Sequence, residues 1–439
     1  MGSYLPSTRK EREAMLKAIG LDQIDDLYQD VPASVLLKKP LNIPQGLSEL
    51  EVRARMKSIA AKNIAFDTVL RGAGAYDHYI PAIVSSVTSK EEFSTTYTPY
   101  QAEISQGVLQ SIFEFQTMIC EITGMDVSNA SMYDGASSAA ESAMMCLDRR
   151  RGKVLISAGV HPETVETVRT YCWGRGVEMK LIPLKSGLTD QAALKEMLDD
   201  QTACVLIQQP NFLGQIEEAA AINRMTHQAG AKAVMVVYPT SLGLLDTPAA
   251  QGADIVTGEG QPLGMPLNYG GPDLGFLACK KELTRLLPGR IVGQTKDAQG
   301  RRAFVLTLQA REQHIRREKA SSNVCSNQAL CAMTASVYMA ALGPQGFMQA
   351  AELCYHKAHY FASEMEKIPG FDLVYRGDFF NEFVTACPID AKKLENALMQ
   401  RGILSGLPIE EGMLWCVTEK HSKQTLDAVI KAIREVCAR

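Results

Sequence analysis

The stretch Tyr133-Asp134-Gly135-Ala136-Ser137-Ser138 places a glycine, small residues and two hydroxyls at the start of a helical pattern running to Arg150. Free backbone N–H groups at a helix N-terminus, joined by hydroxyls, form a cup for a phosphate. The same residues also fit a plain helix start with Ser137 as N-cap. His161 follows the apolar run Lys153–Ser157, at the end of a strand where doubly wound sheets place ligands. It could stack over a ring, or cap the helix that begins at Pro162. Two loops rich in aromatics, Arg71–Pro81 (with Tyr76, Asp77 and His78) and Tyr97–Gln101 (with Tyr97 and Tyr100), have the composition of binding loops, although tyrosines there could equally pack the loops. The stretch Asp254–Ala278 has two short apolar runs joined by a glycine-rich loop, the form of an active-site segment. Yet Gly258–Pro272 holds no lysine, histidine, serine or cysteine, and its ionisable side chains are Glu259 and Tyr269. Neither a Walker loop nor a G-x-G-x-x-G turn occurs.

The elements that must position these residues alternate. Helix Ser137–Arg150 precedes strand Lys153–Ser157, helix Pro162–Trp173 precedes strand Met179–Pro183, and helix Thr189–Leu198 precedes strand Cys204–Gln208. Helix Glu217–Ala229 then precedes strand Ala233–Tyr238 and the glycine-rich stretch. Short β-branched runs alternating with amphipathic helices predict a mostly parallel sheet covered on both faces. Upstream, Val108, Ile112, Phe115, Ile119 and Ile122 mark the core face of a helix from about Ser105 to Thr123, ended by Gly124. Downstream, the alternating charges of Arg311–Lys319 predict a solvated or subunit-facing surface. A long apolar helix, Ser326–Ala341, leads to Gly343-Pro344.

An arm at 1–65 comes first, with an N-cap at Ser7-Thr8 and a capping box from Ser48 to Glu51. Broken by Pro40 and Pro44 and thin in apolar residues, it wraps either its own body or a partner chain, with the partner favoured. The large sheet domain covers 66–343. A small α+β domain at 344–439 comprises helix Phe347–Ile368, strand Phe371–Tyr375, strand Glu382–Cys387, helix Ala391–Arg401, strand Met413–Val417 and a last helix to Cys437, whose buried face is Leu426, Val429, Ile430 and Ile433.

At 439 residues the chain can bury two cores, and 46% hydrophobic with 21% charged residues is ordinary for a globular protein. A net charge of −4 gives no sign of a nucleic-acid or membrane surface. No apolar run approaches the roughly 18–20 residues a bilayer requires, and the start is not that of a secretory signal. A cytoplasmic protein is expected. The 11 cysteines show no C-x-x-C pair, and Cys325 and Cys331 fall on a predicted helix, so buried reduced thiols are expected and no metal site.

A phosphate cup, a ring-facing residue and a later strand–loop–strand together resemble fold-type I (aspartate aminotransferase-like) pyridoxal-phosphate enzymes. Such enzymes need a lysine for the Schiff base and an aspartate for the pyridine nitrogen. At the lysine position stands Gln261, and at the end of strand Ala233–Val237, where the aspartate belongs, stand Tyr238 and Pro239. An amide forms no imine. The chain also resembles, over essentially its whole length, the N-terminal-half or subunit 1 type of the glycine cleavage system P-protein family. Ala75–Val84, Tyr97–Gly107, Asn268–Ala278, Gly289–Gly293 and Arg311–Asn323 carry the resemblance.

The resemblance implies the non-lysine subunit of a decarboxylating glycine dehydrogenase, paired with a sister subunit in an α2β2 assembly. It implies that the sister carries pyridoxal phosphate covalently. Glycine loses CO2 there, and its aminomethyl group passes to the lipoyl arm of H-protein. Tyr97 and Tyr100 would then stand at the inter-subunit site, with Tyr76, Asp77 and His78 as further candidates. The cup at Gly135, Ala136, Ser137 and Ser138, with ring-facing His161, would be vestigial. A structural or regulatory pseudoenzyme that only stabilises the sister or docks H-protein is the alternative. A third expectation is cofactor bound through Lys280 or Lys281.

Overall fold

The structure, a computed structural model, describes residues 7–37, 39–268 and 270–438. Residues 1–6 of the expected arm and Tyr269 of the glycine-rich loop lie outside the described residues. The chain forms two units, Met1–Ile64 and Ala65–Arg439.

In the first unit, α1 (Arg9–Ala18) and α2 (Glu49–Ala60) each open on a capping box, Thr8 with Glu11 and Ser48 with Glu51. Each cap hydroxyl accepts an N–H that the helix leaves unpaired, and each glutamate accepts the cap residue's own N–H. Neither helix buries a residue, so end chemistry rather than an apolar face defines them.

The second unit is built on a seven-stranded sheet. Its strands are β1 (Val127–Ser128), β2 (Lys153–Ser157), β3 (Glu178–Ile182), β4 (Thr202–Gln209), β5 (Lys232–Val237), β6 (Ile255–Glu259) and β7 (Gly275–Cys279), ordered β1-β7-β6-β5-β4-β2-β3. β3, β2, β4, β5 and β6 run parallel; β7 is antiparallel to both β6 and β1. Helices α3 (Gln106–Thr123), α4 (Gly135–Met145), α5 (Pro162–Arg175), α6 (Gln191–Met197) and α7 (Ala219–Gln228) fill the remaining alternation. The central strands are buried along nearly their whole length because both faces are covered, by one core around Phe115, Leu155, Met235 and Phe276 and another around Ile156, Leu206, Val234 and Leu277.

α4 starts two residues earlier and stops sooner than its sequence pattern suggests. Asp134, not Ser137, is the N-cap, and after Met145 the Asp148 carboxylate takes the N–H groups of Arg150 and Arg151 into a turn. β7 crosses the start of α4 so closely that a Cβ at Gly275 would overlap the Asp134 carbonyl oxygen and Ser138 Oγ. Gly275→Ala is therefore expected to cost about 3 kcal/mol or more, since backbone must move. Urea unfolding at neutral pH checks it; a loss below 1 kcal/mol would mean that strand and helix can part freely.

The two apolar segments before and after Gly343-Pro344 form one long run, α8 (Ala329–Met365), bent where Gly343 takes φ 60° ahead of a proline that cannot donate. The expected boundary at 343–344 falls on this bend. Beyond it, β8 (Glu382–Thr385), β9 (Leu407–Ile409) and β10 (Gly412–Cys416) form an antiparallel sheet ordered β8-β10-β9, backed by α9 (Ala391–Met399) and α10 (Lys423–Cys437). Phe361, Phe371, Phe383 and Trp415 pack there with Leu426, Val429, Ile430 and Ile433 of α10. The expected strand Phe371–Tyr375 is a correction: it meets β8 at one bridge, Leu373 to Thr385, and then leaves the sheet edge before a ladder builds. All 11 cysteines are free, and Cys325, exposed, precedes α8 rather than lying on it. Among the described residues no helix is long and apolar enough to cross a membrane.

Candidate functional site

At the carboxyl ends of β5 and β6 the chain fills its own pocket. Gln261 is buried and its amide is fully engaged: Nε2 donates to Tyr76 O (3.0 Å) and Met265 O (2.7 Å), while Oε1 accepts the Tyr76 N–H (2.9 Å). The Tyr76 ring lies stacked on Tyr238, centroids 4.1 Å apart. Tyr76 therefore links the two positions, its backbone held by Gln261 at the expected lysine position and its ring stacked on Tyr238 at the end of β5, where an acid for a pyridine nitrogen belongs.

Below this stack runs a buried polar chain. Tyr76 donates its hydroxyl to Glu382 Oε2 (2.8 Å), and Glu382 Oε1 accepts the Ala73 N–H (2.7 Å). Burial raises Glu382 to about 7, with these two donors opposing the rise. The Tyr238 hydroxyl meets His78 Nε2, and His78 Nδ1 lies 2.6 Å from Glu419 Oε2. Burial alone would raise Glu419; the hydrogen bond and charge of His78, with the Tyr79 N–H, hold it at about 2. Cys354 Sγ also donates to this carboxylate (3.3 Å), so the ligand-type atoms of His78, Cys354 and Glu419 are engaged with one another. Asp77 instead faces outward, 2.6 Å from Lys420 Nζ.

The cup is filled in the same way. Gly135 N–H donates to Glu259 Oε2 (2.9 Å), Ser137 N–H to Asp134 Oδ1 (2.7 Å), and Ser138 N–H to Asp134 O (3.0 Å). Glu259 further takes the N–H groups of Gln261 (2.9 Å) and Leu274 (2.8 Å). Burial raises Glu259 to about 7 against these donors. The Ser137 hydroxyl is turned to Asp134 (2.8 Å), and Ser138 Oγ is buried near Gly275. A carboxylate of the chain itself thus sits where a phosphate would.

His161 caps α5. Its Nδ1 accepts the Glu163 N–H (3.2 Å), Nε2 bonds Ala73 O (2.9 Å), and its ring stands edge-on to Phe212. Lys280 is also removed from the site. It pairs with Asp254 (2.7 Å) beyond the far end of β7, roughly 15 Å of strand from the cup. Lys281 neighbours it there and is exposed.

The second tyrosine loop forms a separate, open face. Tyr97 is 80% exposed and Tyr100 54%. The Tyr97 hydroxyl lies 3.3 Å from Ser326 Oγ, and the Tyr100 hydroxyl accepts from Arg290 Nη2 (3.0 Å). Sequence reasoning missed Arg290, Glu382 and Glu419, each brought to its tyrosine or histidine from 190 or more residues away. The one available signal was an acid or base flanking an apolar run, as Glu382 precedes Phe383-Val384.

Residues 2–433 match the family model described as glycine cleavage system P-protein. The chain belongs to the P-protein family. Among its relatives, the "Probable glycine dehydrogenase (decarboxylating) subunit 1" of Desulfitobacterium hafniense is 49% identical, covering 99% of this chain and 100% of that one. The protein of the same name from Desulforamulus reducens is 50% identical over 97% of each. A crystal structure of glycine decarboxylase (P-protein) of the glycine cleavage system, in inhibitor-bound form, is 40% identical with a TM-score of 0.94, covering 99% of this chain and 100% of that one. A sphingosine-1-phosphate lyase of Burkholderia pseudomallei (14% identical, TM-score 0.66) and a Lactobacillus brevis glutamate decarboxylase (13%, 0.68) share the fold. That fold is the fold-type I architecture of pyridoxal-phosphate-dependent enzymes. This P-protein chain's own pocket does not fit that cofactor: Gln261 offers no amine, Tyr238 no acid, Glu259 and Asp134 hold the cup's N–H donors, and the Tyr76 ring lies stacked on Tyr238.

Proposed function

We propose that the chain is the non-lysine subunit of the glycine decarboxylase of the glycine cleavage system. The observation that carries this reading is Gln261 at the lysine position, locked by both its amide atoms to Tyr76. A sister subunit bearing the lysine would hold pyridoxal phosphate, and the pair, doubled to α2β2 in the cytoplasm, would decarboxylate glycine and pass the aminomethyl group to the lipoyl arm of H-protein. The residue assignment extends to the names of the relatives, each a subunit 1 of a decarboxylating glycine dehydrogenase. The cofactor supplies the electron sink when bound to the sister; this chain supplies a wall. Tyr97 and Tyr100, exposed on one face, would exclude water from the neighbouring site and offer hydroxyl donors to it. The arm 1–65 would embrace the sister chain.

Tyr97→Phe and Tyr100→Phe in the reconstituted pair are expected to lower glycine decarboxylation about ten- to a hundredfold with assembly unchanged. CO2 exchange and size-exclusion chromatography read the two quantities. Undiminished turnover in the intact complex would leave only the structural partner role.

A further inference from the structure

We propose that Arg290 turns the Tyr97–Tyr100 face into a receptor for one oxyanion, a carboxylate or a phosphate monoester, presented by the subunit that docks there. The proposal rests on the reading that this face meets the sister's site. Arg290 is only 3% exposed, and its Nε has no hydrogen-bond partner. Its other contacts are neutral: Nη1 donates to Asn327 Oδ1 (3.3 Å), Nη2 donates to the Tyr100 hydroxyl (3.0 Å), and the guanidinium stands 5.1 Å from the centroid of that ring. Among the described residues no carboxylate lies within ion-pair distance of it, although Glu312 is nearby in the chain fold through His314, which edges Tyr100 and approaches Glu312 at 3.6 Å.

A buried charge without a counter-ion is costly and persists where an anion completes it. The direction in which that anion lies follows from the hydrogen bonds. The Tyr100 oxygen accepts from Arg290, so its own proton is free to be donated away from the guanidinium, toward solvent. Tyr97 stands beside it with its hydroxyl on Ser326, and the neighbouring Asn327 donates Nδ2 to Ser131 Oγ (2.9 Å). Asn327 thus holds Arg290 on one side while Tyr100 relays it on the other. Arg290 is a positioning residue: it fixes a phenol as a donor and places positive charge behind it, an arrangement suited to an oxyanion and hostile to a cation.

The test uses this chain reconstituted with its lysine-bearing sister and cofactor. Arg290→Gln is expected to weaken one affinity about ten- to a hundredfold. A rise in the glycine KM identifies a substrate carboxylate, and a rise in the pyridoxal-phosphate Kd identifies the cofactor phosphate. Arg290→Lys, which keeps the charge, should recover part of the loss. In a Tyr100→Phe background Arg290→Gln should add less than about twofold, because the two residues act as one unit. Thermal unfolding and size-exclusion chromatography establish that each variant folds and assembles. Unchanged KM and Kd, full additivity, or a defect confined to assembly would each overturn the assignment, the last by making Arg290 an interface ion pair. A wild-type pair unable to decarboxylate glycine would overturn the underlying reading instead, and the two failures are thereby told apart.

Discussion

At pH 8, Glu382→Gln is expected to stabilise the chain by roughly 1–3 kcal/mol, and at pH 4.5 to leave its stability almost unchanged. Glu382 is fully enclosed and burial lifts its carboxyl from 4.5 to about 7. Between those values the folded chain holds a proton that the unfolded chain has released. Stability contributed by this group is therefore complete below the unfolded value and falls as pH rises through 7. The amide removes the charge and keeps the shape: its oxygen still accepts the Ala73 N–H, and its nitrogen can donate to the Tyr76 hydroxyl. Glu259, also raised to about 7, has the same sign, so part of the slope should survive in the variant. Glu419, held at about 2 from 4.5, has the opposite sign; its contribution is present above 4.5 and is lost as pH falls through 2. Urea unfolding of both proteins between pH 4.5 and 8 measures the difference, and equal stabilities at pH 8 would remove Glu382 as a source of strain.

The buried acids also mark the limit of what sequence reading could supply. Periodicity located the helices and parallel strands because each repeats a local pattern, as Leu426, Val429 and Ile433 do on α10. The N-cap at Thr8 and the capping box at Ser48 were legible for the same reason, being contained in four residues; that Thr8 also closes a box with Glu11 came from the structure. Asp134 displaced Ser137 as the cap of α4 because a carboxylate three residues upstream accepts both the Ser137 N–H and its hydroxyl, a choice that composition alone leaves open. Gln261 and Tyr238 could be read as replacements for a lysine and an aspartate. What replaced the cofactor could not, since Tyr76 reaches Gln261 across 185 residues and Gly135 reaches Glu259 across 124. Glu259 was visible as an isolated acid in a loop short of reactive groups; its partner was not. The open tyrosine face divides along the same line, with Tyr97 and Tyr100 in a readable loop and Arg290 contributed from 190 residues away.

Gln261→Lys returns the side-chain type that a Schiff base requires, yet it is expected to bind no pyridoxal phosphate and to cost about 3–6 kcal/mol of stability. Position 261 is 4% exposed, and Gln261 there both donates to Tyr76 O and accepts the Tyr76 N–H. An ammonium can replace the donors but offers no acceptor, so the Tyr76 N–H is left buried without one. A lysine can accept that N–H only after giving up its proton, and being driven neutral accounts for most of the cost. The amine would also find no room for a partner: the Tyr76 ring lies on Tyr238, and the Gly135 N–H remains held by Glu259. Borohydride reduction of the variant with the cofactor present, followed by peptide mass analysis, should detect no pyridoxyl group at position 261. Finding one would show that the stack and the Glu259 carboxylate yield readily, and that a single side chain separates this pocket from a working one. If none is found, combining the change with Glu259→Gly and Tyr76→Ala is the way to open cup and ring space together, because those two side chains fill the volumes that phosphate and pyridine would need.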